Sequence, residues 1–168
     1  MNQAAASGNN TIKNVIVLGI GNRLMEDDGV GNDIVEELKR RKAFPSLRLL
    51  AGETDTDYCL DEMEGAKHVI LIDAANMGKE PGSVTVLSLK KILEELSFSH
   101  SSHHFDLLHV MKQQNYKGDG LLLAVEAYSI QYHLGLSSQM EAQLPRIVDE
   151  VSKHIKSYLG LYKFIFFI

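Results

Sequence analysis

Residues 14–31 read NVIVLGIGNRLMEDDGVG. The first part, Val15 to Ile20, is an unbroken apolar and largely β-branched run that closes on glycines, the pattern of a strand buried on both faces. Beyond it Val30, Ile34, Val35 and Leu38 recur at helical spacing. Glu36, Glu37, Lys39, Arg40 and Arg41 take the other side, and the basic residues gather toward the end where the helix dipole favours them. A buried strand leading into an amphipathic helix over 29–43, stopped near Pro45, is the opening unit of a parallel sheet.

The alternation then repeats outward from this unit. LRLLA (47–51) reads as a strand, 56–64 as a short helix, and HVILIDA (68–74) as a second strand buried on both faces. After the Pro81-Gly82 turn, SVTVLSL (83–89) mixes apolar with small polar residues, which suits a strand nearer the sheet edge. Helical patterns follow at 90–96 and 103–115, then the strand LLLAVEA (121–127). A last helix is expected over 138–160, with Met140, Leu144, Ile147, Val148, Val151, Ile155 and Tyr158 on one stripe. Pro145 should kink it or mark its first turn. Strands alternating with helices predict a three-layer α/β/α fold around a mostly parallel, twisted sheet of about five strands.

The chain of 168 residues, 45% hydrophobic and 23% charged, suits one domain. Residues 1–13 read as a flexible N-terminal tail, 14–160 as a single α/β domain, and 161–168, which hold KFIFFI, as an apolar C-terminal tail. A formal charge of −5 offers no basic field to offset phosphate repulsion, so nucleic acid is not an expected partner. No apolar run approaches the ~18–20 residues that cross a bilayer. A single cysteine, Cys59, and no basic–apolar–small leader make the cytoplasm the expected compartment; a slightly acidic monomer is the simplest default state.

In such folds ligands collect beyond the carboxyl ends of the strands. The loop after the first strand has Gly19-x-Gly21, but Leu24 stands where a dinucleotide fingerprint needs its third glycine. Glu26, Asp27 and Asp28 would also repel a pyrophosphate, so no nucleotide is expected. Asp27 and Asp28 can be read as carboxylates favouring a helix N-terminus. Asp73, however, ends a buried strand expected to lie next to the first one, where a carboxylate is costly without a partner or cation. Two carboxylates then face one crevice.

The segment His100-Ser101-Ser102-His103-His104 precedes a helical pattern, with Ser101 or Ser102 as N-cap and His103 or His104 in the first turn. Asp28, Asp73 and one of these histidines make an O, O, N set suited to zinc, nickel or another divalent first-row metal, or to holding a water without metal. Cys59 reads as a buried structural thiol, His133 as a loop-shaping residue, and no Gly-x-Ser-x-Gly elbow occurs.

The segments VIVLGIGNRLMEDDGVG (15–31), LIDAANMGKEPGSV (71–84) and SSHHFDLLHVM (101–111) resemble the hydrogenase maturation endopeptidases in order and separation, over roughly 14–158. The branch serving hydrogenase-3-type large subunits looks closest, through Asp-Ala-x-x-Met-Gly-x-x-Pro-Gly and an Asp rather than Glu at 28. The resemblance implies an endopeptidase that removes the C-terminal extension of a nickel–iron hydrogenase large-subunit precursor after nickel insertion. It also implies that Asp28, Asp73 and His103 are the catalytic and metal-contacting residues, and that the nickel is carried by the substrate. A metal-binding accessory module and a small-molecule metallohydrolase, both without peptidase activity, are the competing expectations.

Overall fold

The computed structural model describes residues 14–95 and 106–165. Five strands form one sheet: β1 (Val15–Ile20), β2 (Arg48–Glu53), β3 (His68–Ala75), β4 (Val84–Ser88) and β5 (Asp119–Glu126). Helices α1 (Val30–Arg40), α2 (Thr56–Met63), α3 (Leu89–Glu95), α4 (Asp106–Gln113) and α5 (Ser138–Ile165) connect and cover them. The strand order is β2-β1-β3-β5-β4, and only the edge strand β4 runs antiparallel, against β5. The expected three-layer, mostly parallel architecture is therefore present.

The faces follow from strand alternation. Val15, Val17, Ile70, Ile72, Leu123 and Val125 point to the layer made by α1 and α5. Ile16, Leu18, Val69, Leu71 and Leu122 point to α2, α3 and α4. Both faces are dry, which explains why β1 and β3 read as continuous apolar runs.

From β1 the chain crosses to β2 on one side, then returns past β1 to β3 on the other. The switch point is thus between β1 and β3, where the helices on either side diverge and leave a crevice at the carboxyl ends. Close packing brings α1 down onto this point. A Cβ on Gly31 would lie 2.1 Å from the Ile72 carbonyl oxygen and 2.6 Å from that of Ile20, so only glycine fits.

Two details differ from the sequence reading. Helix α5 begins at Ser138, so Pro145 is internal and does not open the first turn, and the helix continues to Ile165 instead of stopping near 160. Strand β5 starts at Asp119, two residues earlier than its apolar run, because pairing with His68 and Val69 of β3 extends it. The N-terminal 1–13 and the last three residues lie outside the described residues.

Candidate active site

After Ile20 the backbone turns at Gly21 with φ +123°, a conformation open to glycine. A Cβ there would strike the Asp28 carbonyl oxygen at 1.8 Å, so the loop folds back tightly against the strand end. Residues Glu26–Gly29 form one 3-10 turn, and α1 follows with Gly29 at its cap and no side chain capping it. The helix-capping reading of Asp27 and Asp28 is therefore incorrect: the acidic pair belongs to the turn ahead of the helix, and its side chains go elsewhere.

The two carboxylates divide. Asp27 is fully buried and accepts four hydrogen bonds from the β5–α5 connection: from the N–H groups of Tyr128 (2.9 Å), Ser129 (3.0 Å) and Ser137 (2.8 Å), and from the Ser137 hydroxyl (2.9 Å). Such a saturated carboxylate is a structural anchor. Asp28 instead borders a cavity of about 500 Å³, with one oxygen oriented by the Asn22 N–H at 2.8 Å.

Asp73 reaches the same cavity from β3. It follows Val69 and Leu71 on the α2/α4 face, and its own next residue, Ala74, donates an N–H at 2.8 Å. Burial pushes its carboxyl well above the ordinary carboxylate range. The nearby Asp28 raises it further, and the Ala74 N–H only partly offsets this. Glu53, Thr54 and Thr56 at the β2 end complete the acidic and hydroxyl side of the wall, and Leu107 of α4 contributes apolar surface. Glu53 sits at φ +50° and pairs with Arg23 at 3.3 Å.

His103, with its neighbours His100 and His104 and the expected N-caps Ser101 and Ser102, lies outside the described residues. Among the described residues, no three His, Cys, Asp or Glu side chains gather as a metal site. Cys59 lines the cavity but is buried, and burial with Asp55 nearby pushes its thiol to about 11, which makes it inert as a nucleophile at neutral pH. His133 acts through its backbone. Its N–H donates to the Leu24 carbonyl and its carbonyl accepts from the Glu26 N–H, both at 3.0 Å, in a parallel bridge with Met25.

Two supporting residues, Asn32 and Glu126, escaped the sequence reading, as did the role of a third. Asp27 was visible, but spacing along an acidic run does not say which carboxylate faces inward. Buried Asn32 on α1 ties the loop to β2, donating to the Gly21 carbonyl and accepting from the Glu53 N–H, each at 2.9 Å. Buried Glu126 ends the apolar strand β5 much as Asp73 ends the apolar run of β3. It accepts from the N–H groups of Met77 (2.8 Å), Gly78 (2.9 Å) and Lys79 (3.2 Å), clamping the loop after β3. The rule that singled out Asp73, a carboxylate closing a buried strand, would have found Glu126 as well.

The family model described as hydrogenase maturation protease matches residues 32–154, most of the chain. The chain belongs to this family. Asp73 and His103 fall inside the matched span and Asp28 just ahead of it. This maturation protease is 29% identical over 143 residues to the hydrogenase 2 maturation protease of Escherichia coli K12, covering 82% of the chain and 87% of that protein. It is 40% identical over 74 residues to HupD of Bradyrhizobium diazoefficiens, a hydrogenase expression/formation protein, covering 44% of the chain and 38% of HupD. Among solved structures, the [NiFe] hydrogenase maturation protease HybD from Thermococcus kodakarensis is 25% identical with a TM-score of 0.62, covering 83% of this chain and 97% of that one. The endopeptidase HybD from E. coli shares the fold, with a TM-score of 0.70 at 24% identity over 86% and 93% of the two chains. The protease is an endopeptidase by this membership.

Proposed function

We propose that the protein removes the C-terminal extension of a nickel–iron hydrogenase large-subunit precursor once nickel has been inserted, with Asp28, Asp73 and His103 engaging the nickel that the substrate carries. The observation that carries this reading is the meeting of two carboxylates in one cavity, Asp73 from β3 and Asp28 from the turn after the neighbouring strand β1, with Asp73 held toward its neutral form by burial and by Asp28. An empty site limits the cost of two buried negative charges by keeping a proton. A cation reverses that balance by stabilising both carboxylates in their ionised form, so a metal-bearing substrate gains an attraction that a metal-free one lacks.

His103 supplies the nitrogen of the set. In the sequence it stands four residues before the cavity-lining Leu107. Two oxygens and one nitrogen suit a borderline divalent ion without the permanence that thiolates would give, so the metal remains the substrate's. Hydrolysis then adds a water oxygen to the peptide carbonyl carbon, breaks the C–N bond and passes a proton to the leaving amine. A second reading within the same activity is favoured by the carboxylate pair itself: one Asp accepts the proton of water and the other returns it to the amine. The working unit is a monomer in the cytoplasm, with the precursor as its partner and no nucleotide.

The test is to mix the protein with nickel-loaded and nickel-free precursor and follow loss of the extension by mass. Cleavage of the loaded form alone is expected, and it should be abolished by Asp28→Asn and by His103→Ala. Equal cleavage of both forms would overturn the nickel gate. Retained cleavage by His103→Ala would leave the carboxylate-pair mechanism in its place.

A further inference from the structure

The loop that carries Asp28 is stitched along its length to the β5–α5 connection. Besides the four bonds to Asp27, the Asp27 N–H donates to the Ser129 carbonyl (3.3 Å), and the Gly135 N–H donates to the Arg23 carbonyl (3.1 Å). The Leu24·His133·Glu26 bridge lies between them. Met25, the residue paired with His133, lines the cavity. The connection is therefore a fixed lip of the active site.

This fixed lip exposes apolar surface where a lip open only to water would carry polar residues. Tyr132 is 83% exposed and Leu134 71%, the two most exposed large hydrophobic side chains among the described residues, and Leu24 across the bridge is 49% exposed. The three flank one pair of bridged residues, while Tyr58, Met77 and Val86 are exposed to a lesser degree elsewhere in the chain. An ordered, concentrated apolar patch continuous with a protease's cavity has the anatomy of an interface core, in which tyrosine anchors are enriched.

We infer that Leu24, Tyr132 and Leu134 form the docking surface for the folded body of the protein substrate whose tail enters the cavity. This rests on the proposed function in taking the nickel-loaded precursor as that substrate. The occupant is argued from continuity: Met25 lines the cavity and is bridged to His133, which Tyr132 and Leu134 flank, so a polypeptide seated in the cavity along its Met25 wall brings the rest of its domain against the adjoining lip. The apolar patch contributes affinity, and the carboxylates contribute chemistry.

The experiment compares the wild-type protein with the Tyr132→Ser/Leu134→Ser double variant and a Val86→Ser control on the remote edge strand, using nickel-loaded precursor. Expected is a KM about tenfold or more higher for the double variant, with kcat at saturation and the melting temperature unchanged and the control unaffected. A wild-type KM in the double variant overturns the inference. So does a concentration-dependent dimer of the wild-type chain that the double substitution abolishes, because the occupant is then a second copy. Should the wild-type protein fail to cut the loaded precursor, the functional reading fails separately. The docking claim is then decided by calorimetric Kd for the precursor, where equal affinity of wild type and double variant overturns it.

Discussion

Asp73, near the end of β3, and Asp28, in the turn between β1 and α1, line one cavity, and Asp73 is held above the ordinary carboxylate range by its own burial first and by Asp28 second. The arrangement costs stability at neutral pH. A carboxyl whose folded pKa is raised binds more protons folded than unfolded at pH values between the two, so stability falls as pH rises from the unfolded value through the folded one.

Asp73→Asn removes that dependence while keeping the shape of the side chain. The variant is expected to be more stable than the wild type at neutral pH, to match it more closely near pH 4, and to lose tail removal. Melting temperatures from pH 4 to 8, read beside precursor cleavage, check this. A variant less stable than wild type at pH 7 would contradict it.

The neighbouring acids should separate cleanly. Asp27→Ala strips the acceptor from three backbone N–H groups and the Ser137 hydroxyl, so a loss of about 3 kcal/mol or more is expected in urea denaturation. Asp28→Asn keeps the fold within about 1 kcal/mol and abolishes activity, since its role lies in the cavity. Equal destabilisation by the two would show that the division of labour is wrong.

Glu126 should report on the loop that follows Asp73. In Glu126→Ala the Met77, Gly78 and Lys79 N–H groups lose their acceptor, and a cost of about 2 kcal/mol is expected. Hydrogen exchange localises the effect: protection at 77–79 falls, whereas the β1 amides keep theirs. Glu126→Gln, which retains one carbonyl oxygen for these donors, should recover much of both.

The layer order was legible from the chain because burial on both faces leaves a simple trace. Val15–Ile20 and Val69–Ile72 contact helices above and below, so every position in them must be apolar. Asp73 was legible for the converse reason, as a charge closing such a run. Pro145 misled in part, because a proline inside a long helix and one in its first turn look alike without the packing of α5, and that packing carries the helix through it.

What the sequence determined by itself is the alternating α/β plan and the presence of carboxylates at the ends of buried strands, since both follow from local periodicity and the cost of burying charge. Only the tertiary structure decided that Asp27 anchors while Asp28 opens on the cavity, that Asn32 and Glu126 hold the surrounding loops, and that the 128–137 connection lies against the turn that carries Asp28. Asp27 points where hydrogen-bond partners about a hundred positions away hold it, and Asp28 beside it turns to the cavity. No spacing rule along the chain encodes those partners.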